Sequence, residues 1–303
     1  MRYLKISKSD TDYRHMVNRV PDSITGDLVD TDTIVDCGDD GHIIYKILPK
    51  IVSDGFRHVV QNTKYQKSGR VMGLPTKSTV MGVMSRVAHR NDYCRFTAAS
   101  YAETHNFAVM TSYNEYISSI YQEYLPEHYR AAMEEISTVD GSWRYVDTPY
   151  LTCNVNVNHA IPYHYDKGNM NKALSTVIII SSGVKGGELV CPEFGLTLSQ
   201  RDGALTLFSG RNILHGVMPI TYVSPESYRA SIVYYSLSGM SNCLCRDEEL
   251  GRIAGLTTHR NRNKYSEETK KKIVKINKKR LEALGSKWAK YGDNNKDETG
   301  LPG

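Results

Sequence analysis

The stretch from Tyr150 to Tyr235 tolerates few folds, because it is a succession of short apolar runs, each cut off by turn-forming residues. Leu151, Cys153, Val155 and Val157 alternate with Thr and Asn, the period of a half-buried strand. Leu174 to Ile180 is rich in β-branched residues and is followed by Gly183, which favours a buried strand over a helix. Further runs at 186–191, 195–199, 204–208 and 228–235 are separated by Gly, Pro, Asp or Ser. Many short strands at such spacing close into a sandwich or a barrel.

Four polar residues interrupt this apolar pattern in a chemically telling order. His164 and Asp166 lie two apart near the first runs, so in an extended chain they project to one side. His215 follows Ser209-Gly-Arg211 and opens a later strand, which can bring it back beside His164 at the mouth of the barrel. Two imidazoles and one carboxylate on one side of a cation leave the opposite positions open, the donor set of a non-haem Fe(II) oxygenase. Arg229, fourteen residues after His215, has Ser231 two positions on, facing the same way. A permanently charged guanidinium matches a carboxylate as a two-pronged donor. With the hydroxyl it suits the distal carboxylate of 2-oxoglutarate, whose keto acid end would chelate the iron. His164, Asp166, His215 and Arg229 are therefore the candidate catalytic set. A His-x-Asp pair alone is usually a surface hydrogen bond or a satisfied core histidine. The distal His and the Arg-x-Ser argue against a sandwich that carries ordinary polar residues.

The strings around these residues resemble the TET/JBP group of DNA pyrimidine dioxygenases. The likeness rests on Asn154-Val-Asn-Val-Asn158, His164-Tyr-Asp-Lys-Gly-Asn169, Gly186-Gly-Glu-Leu-Val190, Leu207-Phe-Ser-Gly-Arg211, His215-Gly-Val217 and Arg229-Ala-Ser-Ile-Val-Tyr-Tyr235. It covers roughly residues 149–237, with the piece Asp92-Tyr-Cys-Arg-Phe-Thr-Ala98 as an upstream echo. The resemblance implies a double-stranded β-helix (jelly-roll) enzyme that hydroxylates the 5-methyl group of 5-methylcytosine or thymine in DNA. Its cofactors would be Fe(II), on His164, Asp166 and His215, and 2-oxoglutarate, on Arg229, Ser231 and Asn154. Asn169, three after the metal Asp, matches a residue that holds the flipped base. The position eight after the cofactor Arg, a His in cytosine-acting members, is Leu237 here, which leaves thymine open as the base. A methyl group inside a duplex cannot reach an iron, so the base should be extruded. Tyr163, Tyr165 and Phe194 are candidates to stack on it, with core or rim packing as the plainer role of each.

Charge is distributed unevenly. The net charge is +5, yet residues 256–290 hold twelve Lys and Arg against three Glu, or +9, which leaves −4 on the rest. Ser266-Glu-Glu268 reads as a helix start. Val274, Leu281, Leu284 and Trp288 then form one apolar stripe, so this helix can dock on the barrel with its lysines outward, toward DNA phosphates. A solvated lysine face is the plainer reading.

The chain of 303 residues, 40% of them hydrophobic, can bury one large core or two modest ones. No run approaches the ~18 apolar residues of a membrane span. The start, Met1-Arg-Tyr-Leu-Lys-Ile-Ser-Lys, has no signal-peptide character. Six cysteines without framework spacing point to reduced thiols and a cytoplasmic or, in a eukaryote, nuclear setting rather than secretion. Cys243-x-Cys245 near His259 could form part of a zinc site. Ile43 to Leu48 reads as a strand, Phe56 to Val60 as a strand or a helix start. Tyr113 to Tyr124 has a helical stripe, and Pro126 begins a second helix with Tyr129, Met133 and Ile136 on one face. These helices should brace the outer face of the major sheet.

The expectation is thus an α+β chain. An N-terminal region, 1–145, packs on a double-stranded β-helix core, 146–240, and a basic helical extension with a frayed end covers 241–303. Two other functions compete: a 2-oxoglutarate hydroxylase of a protein side chain or small molecule, and a non-catalytic DNA-binding module. A binding module has no need of all four catalytic candidates.

Overall fold

The computed structural model describes residues 1–68, 76–86, 93–157 and 160–252. The basic segment 256–290, with its apolar stripe, and His259 lie outside the described residues. The first strands are β1 (Arg2–Lys5), β2 (Asp27–Val29), β3 (Thr33–Asp36), β4 (His42–Ile47), β5 (Gln66–Ser68), β6 (Thr76–Met84) and β7 (Arg95–Phe96). Next come β8 (Thr152–Val157), β9 (Ile161–His164), β10 (Ser175–Ser182), β11 (Val184–Gly186), β12 (Leu189–Cys191) and β13 (Leu196–Leu198). The series ends with β14 (Ala204–Phe208), β15 (His215–Val217), β16 (Ile220–Tyr222) and β17 (Tyr228–Tyr235). Four helices lie wholly among the described residues: α1 (Lys50–Asn62), α2 (Ala98–Ala102), α3 (Thr104–Tyr124) and α4 (Pro126–Ile136); residues 246–252 are helical as well.

A large sheet runs in the order β1-β3-β4-β14-β10-β17-β8-β6-β5, with β7 on β6. A smaller one runs β2-β13-β12-β15-β9, and β11 pairs with β16. The alternation read from the sequence decides what each face meets. On one face of the large sheet Ile44, Leu205, Leu207, Ile178, Ile180, Ile232, Tyr234, Cys153 and Val155 share a core with Phe56 and Val59 of α1, Met110, Ile117 and Tyr121 of α3, and Ile136 of α4. On the other face Ile43, Tyr45, Ala204, Phe208 and Ile179 meet Leu189, Cys191, Leu196, Leu198 and Val217 of the smaller sheet. The molecule is therefore helices on sheet on sheet, the two sheets forming the double-stranded β-helix core. Its central strand β10 is covered on both sides, which explains why Ile178, Ile179 and Ile180 are consecutive rather than alternating with polar residues. Each is fully buried, worth about 1.5–3 kcal/mol relative to exposure.

The structure decides one open alternative and departs from the sequence expectations in three places. Phe56 to Val60 belongs to α1, because Ser53, Phe56, Val59 and Val60 are buried at helical spacing. The helix expected from Tyr113 begins at Thr104. Its inward face in the first turns is partly polar: Asn106, buried, donates to the carbonyl of Asn62 and to Thr63, so the apolar period cannot reveal it. Residues 1–145 do more than pack on the core. They add β2 to β13 in the smaller sheet, β4 to β14 and β6 to β8 in the larger one. Finally, the expectation of reduced thiols fails for one pair: Cys94 and Cys243 form a disulfide across 149 residues of chain. Distant in sequence, they meet only because the segment after β17 returns to the segment before β7. The bonded Cys243 is not a zinc thiolate, while Cys37, Cys153 and Cys191 are free and buried as expected.

Candidate metal centre

Two antiparallel strands of the smaller sheet position the candidate metal ligands. In the β9–β15 pairing His164 lies opposite His215, with ring centroids 4.3 Å apart. Asp166 follows the end of β9, where its N–H donates to the carbonyl of Gly210 at 2.8 Å. One Asp166 oxygen lies 3.5 Å from His164 Nε2, the other 3.8 Å from His215 Nε2. One ligand atom from each of the three lies within 4.8 Å of the others, the only such group of three or more His, Cys, Asp or Glu among the described residues. This close approach depends on Gly210, where a Cβ would stand 2.7 Å from Asp166 Oδ2.

The imidazoles are oriented for ligation. Nδ1 of His164 sits 2.9 Å from the carbonyl of Pro162, and Nδ1 of His215 2.9 Å from that of Ile213. A carbonyl oxygen can only accept, so each Nδ1 carries a proton, which leaves Nε2 as the atom that would meet a cation. Burial, reinforced by the neighbouring His164, pushes His215 below the usual imidazole range and keeps it neutral. For His164 burial works the same way, but the hydrogen bond and charge of Asp166 outweigh it and hold it above the usual range. Burial alone would raise Asp166; the hydrogen bond of His164 is the largest effect against it, and the carboxylate is held below its usual range.

The inner face of the large sheet supplies the second half of the site. On β17 Ile232 and Tyr234 pack toward the helices, so Arg229 and Ser231 face the smaller sheet. The Arg229 side chain is buried and donates to the carbonyl of Gly187 at 3.2 Å and to Gln200 Oε1 at 3.5 Å. Burial lowers its pKa to about 10, so it stays charged at neutral pH. Asn154 of β8 lies on the same face, opposite Val233, and its buried Oδ1 has no hydrogen-bond partner. Such an amide can turn a donor or an acceptor to a ligand. These residues fit an iron ion with 2-oxoglutarate beside it. His164, Asp166 and His215 would hold the metal, and Arg229, Ser231 and Asn154 would meet the organic acid.

Of the candidate substrate residues, Asn169 is buried; its N–H donates to the carbonyl of Asp166, and its amide donates to Ser175 Oγ at 3.0 Å. It also bridges Leu237 across the chain. Tyr163 and Tyr165 do not point where a stacked base would need them. Both pack with Val190 and Leu214, behind the ligand strand. The spacing that unites His164 and Asp166 sends their odd-numbered neighbours to the opposite side. Phe194 is likewise a core side chain, buried with Leu196 and Phe208 under Lys8. Sequence reasoning missed the supports. Arg211 donates to the carbonyl of Asn169 at 2.8 Å and to that of Lys167, holding the loop that carries Asn169. Glu193 and Lys8 stand behind the ligands. The one available signal was Glu193 itself, an acid inside the apolar string Leu189-Val-Cys-Pro-Glu-Phe194.

A family model, Tet_JBP, described as the oxygenase domain of the 2OGFeDO superfamily, matches residues 46–238. The thymine dioxygenase JBP1 of Trypanosoma brucei brucei is 22% identical over 165 residues, 53% of this chain and 19% of that protein. The thymine dioxygenase JBP1 of Crithidia fasciculata is 22% identical over 222 residues, 71% of this chain and 27% of that one. The chain thus spans about a fifth to a quarter of the length of these curated relatives. Among solved structures, that of NgTET1 in complex with 5mC DNA shares the fold with a TM-score of 0.56 at 15% identity. That match covers 77% of this chain and 88% of the other.

Proposed function

The chain belongs to the TET/JBP family, the oxygenase domain of the 2OGFeDO superfamily, and from that premise we propose that this Fe(II)/2-oxoglutarate dioxygenase hydroxylates the 5-methyl group of a pyrimidine base in DNA. The observation that carries the reading is the convergence of His164, Asp166 and His215 beside a loop that places Asn169 three residues after the metal carboxylate. The bound iron and 2-oxoglutarate supply the oxidation: oxygen and 2-oxoglutarate are consumed, succinate and carbon dioxide released, and one C–H becomes C–OH. The protein's own work is orientation and exclusion of water. Arg229 and Ser231 fix the organic acid from a buried position. Asn169 is held by Ser175 and by Arg211 through its carbonyl, and it presents a rigid polar edge to an extruded base.

Thymine is the base we favour. The curated relatives are named thymine dioxygenases, and Leu237, which bridges Asn169, offers no hydrogen-bonding group to a cytosine amine. We further propose that the basic segment 256–290 contacts phosphates, adding affinity without reading sequence. A cytoplasmic or nuclear site of action belongs to the same reading. The test is incubation with Fe(II), 2-oxoglutarate and DNA containing both thymine and 5-methylcytosine, followed by mass analysis of the nucleosides. A gain of one oxygen on thymidine is the expected result. Oxidation of 5-methylcytidine alone would overturn the choice of base. Succinate release that DNA does not stimulate would point to a protein or small-molecule substrate.

A further inference from the structure

Glu193 is a buried carboxylate that no step of the proposed reaction uses, yet it touches both segments that carry the metal ligands. One oxygen accepts from the hydroxyl of Tyr165 at 3.0 Å, and Tyr165 is the residue between His164 and Asp166. The other accepts from the N–H of Leu214 at 2.7 Å, and Leu214 immediately precedes His215. Lys8 lies 3.3 Å from the first oxygen and balances the charge. The backbone carbonyl of Glu193 also accepts from Ser9 at 2.7 Å, so the N-terminal segment is fastened there as well.

The placement matters because β9 is an edge strand of the smaller sheet. Among strands its single neighbour is β15, with Tyr163 bonded on the outer side to Asn18 and Arg19, and the register between β9 and β15 shifts between His215 and Val217. Ladder hydrogen bonds alone therefore hold the spacing of the two ligand segments loosely. A carboxylate with one oxygen on each segment ties them at a second point, behind the metal. Tyr165 lies on the opposite side from His164 and Asp166, so the tie reaches the ligands without entering the site. The Leu214 bond is buried and the Tyr165 bond half-buried, and the acceptor is ionic with a cation beside it, which strengthens a hydrogen bond.

We propose that Glu193 is a positioning residue of the iron centre. It sets the separation between the His164–Asp166 segment and His215 before metal binds, so that a divalent ion finds its three ligands already in place. The inference rests on the metal assignment, not on the identity of the substrate. Partners that orient metal ligands cost roughly 10–100-fold in metal affinity when removed. Glu193 acts one residue away from each ligand, so a loss of about tenfold, the lower end of that range, is expected.

The test measures Co(II) binding to the metal-free full chain by calorimetry and by the visible ligand-field spectrum, without 2-oxoglutarate or DNA. Tyr165→Phe removes one hydroxyl and keeps the packing ring; Glu193→Gln keeps the shape but loses the charge and one acceptor oxygen. Far-ultraviolet circular dichroism and melting of the metal-free proteins show which variants are folded. The expected result is weaker Co(II) binding and an altered spectrum in folded Tyr165→Phe, with a larger change in Glu193→Gln. Should both folded variants bind Co(II) with wild-type affinity and spectrum, whatever their melting temperatures, Glu193 is a stabilising core group and the proposal fails. Should Glu193→Gln not fold, Tyr165→Phe alone decides. Wild-type protein that binds no Co(II) would sink the metal assignment itself, a failure separate from that of Glu193.

Discussion

At the scale of single residues, ligation and charge dominate. Asp166 is the one carboxylate of the candidate His164, Asp166 and His215 cluster among the described residues, so Asp166→Ala leaves two neutral donors. Turnover and Co(II) binding should both be lost, and retained succinate release in that variant would refute the ligand assignment. Arg229→Gln keeps a polar side chain but removes the buried charge. Losing one member of a buried charged pair costs about 2–5 kcal/mol, so the Kd for 2-oxoglutarate should rise at least about thirtyfold while DNA affinity holds. Equal weakening of both ligands would misplace the dicarboxylate anchor. His164, Asp166 and Arg229 with Ser231 were legible because two-residue spacing in a strand decides which side chains share a side. The same rule places Tyr163 and Tyr165 behind the site, where the structure finds them. The role of Glu193 was not legible, because its partners, Tyr165 and Leu214, are 28 and 21 residues away.

Elements behave as supports whose backbone shape the site requires. Gly187 has φ of +78°, and a Cβ there would stand 2.9 Å from Arg229 Nε. Gly187→Ala forces a left-handed conformation on an L residue, costing about 1–2 kcal/mol, and crowds the guanidinium as well. Its melting temperature should fall and its 2-oxoglutarate affinity with it; a variant with both unchanged would show that this turn is not a constraint. The strands β8, β10 and β17 could be read from composition because apolar period and length agree there. The start of α3 could not, since Asn106 buries a polar side chain on its inward face. Partners of Asn106 lie outside α3, at the end of α1: the carbonyl of Asn62 and the hydroxyl of Thr63.

For the whole molecule the layered order explains both rigidity and reach. The disulfide between Cys94 and Cys243 closes a loop of 149 residues around the core. Breaking it with Cys94→Ala should lower stability by about 2–5 kcal/mol, read as a lower denaturant midpoint than the oxidised wild type. Identical midpoints with and without reductant would remove the bond from the account. Truncation at residue 255 tests the basic segment. If that segment neutralises phosphates, log affinity for DNA should fall less steeply with log salt once it is gone, by about 0.9 for each phosphate it had neutralised. An unchanged slope would assign DNA affinity to the core alone.

Local sequence determined the alternation of the strands, the donor types of the metal centre and their pairing on one side, since these follow from backbone period and side-chain chemistry. Tertiary structure alone decided the rest. The N-terminal strands enter both sheets, Cys94 finds Cys243, and Glu193 links two ligand segments. Each of these depends on contacts between residues far apart in the chain, and no local period encodes which distant neighbour a buried polar group will meet.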